Sequence, residues 1–193
     1  MMRGVLYAIL AAVVLATGVL GYTAYRTVNQ NGGTFGGPFT LTDMYGNEIT
    51  EKALRGQPVA IYFGFTHCPE VCPTTLYELN GWLSKLGPEG RNIKAFFFTV
   101  DPERDSPEML KDYITNVTDR VVGISGDPAE IAKVIKDYKI YAKKVPTDDG
   151  KDYTMDHTAS VLLLNANGGF EGTIAYGENP DTAMAKLRRL AAG

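Results

Sequence analysis

The sequence predicts an α/β fold, a central mixed sheet with helices on both faces, preceded by one N-terminal transmembrane helix. Three observations carry this. The continuous apolar run 58–65, and 93–100 with its Phe96-Phe97-Phe98 core, read as strands buried on both faces. Proline-opened amphipathic segments alternate with such strands. A stretch without charge, Gly4 to Tyr25, lies close to the N-terminus.

The length of 193 residues suits one domain with a short appendage. The formal charge is −3, with acidic and basic residues interspersed. No basic run follows a phosphate backbone, so nucleic-acid binding is excluded as a function class.

Arg3 and Arg26 bracket the uncharged stretch, and its 22 residues span about 33 Å as a helix, against a hydrocarbon core of about 30 Å. Tyr7, Tyr22 and Tyr25 stand near its ends, where amphipathic rings favour the membrane interface. A cleaved leader is the alternative, but Ala16-Thr17-Gly18, its nearest small-residue cleavage site, sits inside the apolar run. The expectation is an uncleaved anchor over residues 1–28. The polar, glycine-rich stretch 29–38 is expected to be a flexible linker, and a single domain to occupy 39–193.

Within that domain, Phe39-Thr40-Leu41 and Glu48-Ile49-Thr50 flank a Tyr45-Gly46-Asn47 turn and read as a hairpin. The strand 58–65 runs into a helix opened by Pro73, with Leu76, Leu79, Leu83 and Leu86 on one face and Gly87-Pro88 as its stop. After the strand 93–100, Ser106 is a candidate N-cap for a helix starting at Pro107. Val121 to Ile124 forms a short strand. Asp127-Pro128 opens a third helix with Ile131, Val134 and Ile135 on one face. Ser160–Asn165 and Gly169–Tyr176 pair across Ala166-Asn167-Gly168, and Asp181–Leu190 closes the chain as a helix. Alternation of strand and helix ending in a hairpin makes the sheet mixed.

The two cysteines of the chain, Cys68 and Cys72, fall at the carboxyl end of the first buried strand, where open α/β sheets place their sites. As a purely structural disulfide the pair would close so short a loop that it constrains the unfolded chain little. At helical i, i+4 spacing both sulfurs project from one face, within reach of a disulfide or a shared metal. The helix N-terminus favours thiolate. Two thiolates are a soft pair that selects Cu(I) or Zn(II). His157, just before the strand 161–164, is the candidate third ligand, with Asp156 a candidate second acceptor beside it. As a lone loop histidine it would more often be a plain hydrogen-bonding residue. His67 is read as solvent-facing and Met155 as packing. Two thiolates and a neutral imidazole suit copper and leave zinc one ligand short of its usual four.

The segments 62–73 (Tyr-Phe-Gly-Phe-Thr-His-Cys-Pro-Glu-Val-Cys-Pro), 100–107 (Val-Asp-Pro-Glu-Arg-Asp-Ser-Pro) and Asp156-His157-Thr158 resemble the Sco/SenC family, thioredoxin-like copper proteins that assist cytochrome c oxidase assembly. The resemblance covers nearly everything after the linker. It implies a thioredoxin-like fold, copper as Cu(I) or Cu(II) on Cys68, Cys72 and His157, and the copper-bearing subunit of the oxidase as partner, with other periplasmic copper chaperones or thiol reductants beside it. Asp101 and Pro102 match a family segment near the site. Glu70 stands where many members carry aspartate and keeps a carboxylate beside the sulfurs.

Two other function classes stay open. One is a thiol-disulfide oxidoreductase, or a peroxidase-like reductase, cycling a Cys68–Cys72 disulfide. Redox motifs of the thioredoxin type space their cysteines by two residues, and this chain spaces them by three. The other is a redox-regulated interaction domain without metal. The anchor implies a single-pass protein of the bacterial inner membrane with its domain in the periplasm, an oxidising space in which the cysteine redox state matters.

Overall fold

A computed structural model of the chain describes Tyr7, residues 14–23 and residues 34–193. The chain divides into two compact units, Met1–Gly33 and Thr34–Gly193. In the first, residues 14–23 are helical and exposed. Among the described residues no helix is long and apolar enough to cross a membrane. The rest of the expected anchor, and the first part of the 29–38 stretch, lie outside the described residues. The remainder of that stretch, from Thr34, belongs to the second unit. There Phe35 meets Tyr138 edge-on with ring centres 5.6 Å apart, packs 4.9 Å from Phe170, and donates its N–H to the Gly168 carbonyl at 2.9 Å.

The second unit is built on seven strands: β1 (Thr40–Asp43), β2 (Glu48–Thr50), β3 (Val59–Gly64), β4 (Lys94–Thr99), β5 (Val121–Ser125), β8 (Ser160–Leu164) and β9 (Phe170–Ala175). Their order across the sheet is β2-β1-β5-β4-β3-β8-β9. The β3–β4 and β4–β5 pairs are parallel. The β1–β2, β1–β5, β3–β8 and β8–β9 pairs are antiparallel, so the sheet is mixed. β3 sits centrally and every one of its residues is buried, which is why its sequence is continuously apolar rather than alternating.

The helices are α1 (Val71–Lys85), α2 (Pro88–Arg91), α3 (Pro107–Thr115), α4 (Pro128–Asp137) and α5 (Pro180–Ala192). Three of them start the same way, with a capping side chain followed by proline. Ser106 accepts from the Met109 N–H, Asp127 from those of Ala129 and Glu130, and Asn179 from those of Asp181 and Thr182. Each cap satisfies amides that have no intrahelical acceptor, and proline has none to satisfy. Register places Tyr62, Phe97 and Gly123 in one row. Side chains of α1 and α3 cover this row, with Cys72 against Gly64 and with Ile114 and Leu110 against Gly123. Phe63 and Phe98 face the other way, onto Tyr138 at the end of α4 and onto Phe39. α5 closes against α1 and α2.

Two features depart from the expectation. A short helix, α2, follows Gly87 where a plain stop is expected. A separate two-stranded sheet, β6 (Ala142–Pro146) with β7 (Tyr153–His157), fills a stretch read as loop. β6 is exposed along most of its length, so it lacks the apolar alternation that marks a half-buried strand.

Candidate metal centre

β3 ends at Gly64, and the chain turns outward through Phe65, Thr66 and His67 to reach Cys68. Helix α1 then begins at Val71 with Glu70 as its N-cap residue. The cysteines are therefore not on one helix face. Cys68 precedes the N-cap and Cys72 occupies the first turn. The bend brings them together: the Cys72 N–H donates to Cys68 Sγ at 3.3 Å. Cys68 Sγ thus takes the place of a capping oxygen, and the free amides of a helix start face an anion.

His157 ends β7, three residues before β8, and β8 pairs with β3. That pairing carries the imidazole back over the cysteine bend. His157 Nε2 lies 3.7 Å from Cys72 Sγ. Its Nδ1 is 3.1 Å from the Thr158 carbonyl oxygen, which can only accept, so Nδ1 carries the proton. In the neutral ring the Nε2 lone pair therefore points at the sulfurs. The rings of Phe65, 5.7 Å away and perpendicular, and of Tyr62 wall the imidazole. Tyr62 Oη donates to Cys72 Sγ at 3.6 Å.

Both cysteines are free thiols and buried. They are unequal. The hydrogen bond from the Cys72 thiol, with the His157 side chain and the backbone N–H groups of Cys72 and Glu70, holds the Cys68 thiol down to about 4 against the effect of burial. Cys72 is pushed far up, because its proton is held by the Cys68 sulfur and because it is buried. The resting pair is a thiolate at Cys68 and a thiol at Cys72. Among the described residues no three His, Cys, Asp or Glu side chains close into a metal-sized cage; the donors lie instead as a hydrogen-bonded chain centred on Cys72. Its chemistry fits a soft cation. Two sulfurs and one imidazole nitrogen lie along that chain, and a metal would take the place of the Cys72 proton.

Two residues expected beside the donors are placed elsewhere. Asp156 is exposed on β7, because alternation along the strand turns it away from the His157 side, and the backbone of Thr158 accepts the imidazole proton instead. The Glu70 side chain is exposed, and only its N–H reaches Cys68. His67 is exposed and pairs with Thr66 Oγ1 at 3.0 Å. Met155 is buried in the core.

The loop after β4, 101–105, was legible only as a motif near the site. Asp105 is fully buried and accepts from the Thr66 N–H at 3.1 Å, Thr66 Oγ1 at 2.6 Å and Thr99 Oγ1 at 2.6 Å. Burial nonetheless raises its pKa. Asp101, 1% exposed, pairs with Arg104 and accepts from Tyr153 Oη at 2.8 Å. The available signal was the loop's two aspartates, spaced by four in a segment leaving a buried strand.

The SCO1/SenC family model matches residues 27–192. Yeast mitochondrial SCO1 is 38% identical over 156 residues, which are 80% of this chain and 53% of that protein. The chain spans about half the length of the curated relatives it matches. Among solved structures, Bradyrhizobium japonicum ScoI with copper bound is 49% identical, with a TM-score of 0.74 over 81% of this chain and 99% of that one. Yeast Sco1 with copper bound is 36% identical, with a TM-score of 0.75 over 83% and 90% of the two chains.

Proposed function

The chain belongs to the SCO1/SenC family, and on that premise we propose that it binds copper through Cys68, Cys72 and His157 and helps metallate the dinuclear copper centre of cytochrome c oxidase. The observation that carries this is the aim of His157. Its Nδ1 proton is committed to the Thr158 carbonyl while Nε2 lies 3.7 Å from the buried Cys72 sulfur. Relatives at 49% and 36% identity are copper-bound Sco proteins, and the Sco family is one of cytochrome c oxidase assembly proteins. Copper is the cargo in this reading, and the oxidase subunit that carries the copper centre is the partner. Deleting the gene is expected to deplete the oxidase of its dinuclear copper. The wild-type gene should restore it and Cys68→Ser or His157→Ala should not; full restoration by both variants would refute the proposal.

A second reading is favoured by one specific observation, the inequality of the cysteines. A thiolate at Cys68 beside a buried, protonated Cys72 is the arrangement of a thiol-disulfide exchanger, which would reduce the recipient's cysteines before copper arrives. A cysteine-reduced recipient that still requires this chain for metallation would exclude reduction as the main role.

We place the domain on the periplasmic side of the inner membrane, on an anchor within residues 1–28 and a tether ending before Thr34, where the compact unit begins. The uncharged run Gly4–Tyr25 supports this. Removing residues 1–28 should move the protein from the membrane fraction to the soluble one; a full chain released by alkaline carbonate would count against an anchor.

A further inference from the structure

The two halves of the candidate centre reach it from different parts of the fold. The cysteines follow β3 of the main sheet. His157 ends a strand that among the described residues pairs with β6 alone, in a hairpin outside that sheet. Something must set the spacing between them, since a donor set displaced by a fraction of an ångström binds metal less well.

We propose that the loop 101–105 is the brace that does this, with Asp105 acting through Thr66 on the cysteine segment and Arg104 acting through Tyr153 on the hairpin that carries His157. This rests on the reading of Cys68, Cys72 and His157 as ligands. The base of the brace is fixed to the sheet. Thr99 Oγ1, at the end of β4, donates to Asp105 and accepts from the Asp101 N–H at 2.8 Å. Ser125 Oγ, at the end of β5, donates to the Asp105 carbonyl at 2.6 Å. The loop folds on itself through the N–H groups of Arg104 and Asp105, both on the Asp101 carbonyl.

One arm reaches the cysteines. Both Asp105 oxygens are engaged by Thr66, two residues before Cys68. The other arm grips the hairpin. The Arg104 guanidinium stacks 3.8 Å from the centre of the Tyr153 ring, and its Nη1 donates to the Tyr153 carbonyl at 2.9 Å. Lys144 of β6 also lies over that ring, 4.6 Å from its centre, and pairs with Glu103 at 2.6 Å. Asp101 and Asp105 are 1% and 0% exposed. Buried carboxylates are costly unless fully partnered. A purely apolar loop would close this part of the sheet at less cost, but it could not grip two backbone segments at once. Arg104 and Asp105 are positioning residues in this proposal and touch neither sulfur nor imidazole.

The test uses the full chain with Arg104→Gln, Arg104→Lys, Tyr153→Phe and Thr66→Val, each checked for folding by its melting transition. Two readouts are taken: the imidazole resonances of His157 in metal-free protein, and the copper affinity with the sulfur-to-copper charge-transfer spectrum. Arg104→Gln should shift or broaden the His157 resonances, weaken copper binding by about 10- to 100-fold, the range of outer-shell substitutions, and displace the charge-transfer band. Arg104→Lys should not rescue, because a point ammonium cannot replace the planar fork. Tyr153→Phe and Thr66→Val each remove one hydroxyl contact and should give smaller changes of the same kind; they decide the matter if the arginine variants do not fold. Folded variants with wild-type resonances, affinity and spectrum would overturn the brace. If the wild-type chain took up no copper, the functional reading would fall alone. The His157 resonances would then decide: changed in the variants, the brace stands, and unchanged, it falls.

Discussion

His157 Nε2 lies 3.7 Å from Cys72 Sγ across 85 residues of sequence, and a single proton separates this pair from a metal-binding one. Cys68 is held as thiolate near 4 and the Cys72 thiol is held protonated. In the neutral imidazole the nitrogen facing the sulfurs carries no proton. Copper uptake at neutral pH therefore has one proton to expel, that of Cys72. Calorimetric titration with Cu(I) in buffers of different ionisation enthalpy should show release of about one proton per metal. Release of about two would mean that a second donor is also protonated at rest.

The same inequality sets thiol reactivity. In the reduced chain, alkylation of Cys68 should hold a steady rate from about pH 6 to pH 9, because an ordinary thiol titrates near 8.5 whereas Cys68 is already ionised. Cys72, 0% exposed against 9% for Cys68 and protonated, should react only on unfolding. Stability follows with opposite signs. Cys68 is depressed, so its contribution is full above the unfolded value of about 8.5 and is lost as pH falls toward 4. Cys72 is raised, so its contribution is present below about 8.5 and is lost as pH rises beyond it. The urea midpoint of the wild type, measured relative to the Cys68→Ser/Cys72→Ser double variant, should therefore peak near the ordinary thiol value. A difference that does not change with pH would refute the assignment.

Gly64 is the hinge between sheet and site. A Cβ there would stand 2.8 Å from the Phe97 ring and 3.0 Å from Cys72 Sγ, closer than side chains tolerate. Phe97 is itself fully buried and has little room to move. Gly64→Ala is expected to cost about 1–3 kcal/mol, the range for overpacking a close-packed core, and to weaken copper binding by displacing Cys72. Equilibrium denaturation and a competition titration would check both. Wild-type values in the two together would show that the strand end is slacker than its contacts imply.

How far the sequence could be read divides along burial. β3, the Phe96-Phe97-Phe98 centre of β4 and the paired β8 were legible because strands buried on both faces are dominated by apolar residues, and two helices were legible because Ser106 and Asp127 stand before prolines, whereas the last was read only as 181–190, without its cap Asn179 or Pro180. The hairpin β6–β7 was not, since Lys143, Lys144 and Val145 are exposed and nothing in their pattern distinguishes strand from loop. What holds the hairpin is Arg104 on Tyr153, a contact between residues 49 apart that no local pattern encodes. The donors Cys68, Cys72 and His157 could be nominated from residue type and position. Their surroundings could not. Asp156 is a plausible partner for its neighbour until strand alternation turns it outward, and Thr158 supplies the acceptor through its backbone, which residue type does not reveal. Asp105 lies 39 residues from Thr66 and reaches it only because β3 and β4 are adjacent.

The most direct measurement of the central claim is the copper stoichiometry and affinity of the purified, reduced chain beside its ligand variants. The wild type should hold one copper per chain through dialysis against a weak chelator. The Cys68→Ser/Cys72→Ser double variant should hold none, and His157→Ala should bind at least about tenfold more weakly, as expected when one ligand of a small set is removed. Copper retained at wild-type stoichiometry and affinity by the double variant, or by His157→Ala, would contradict the account.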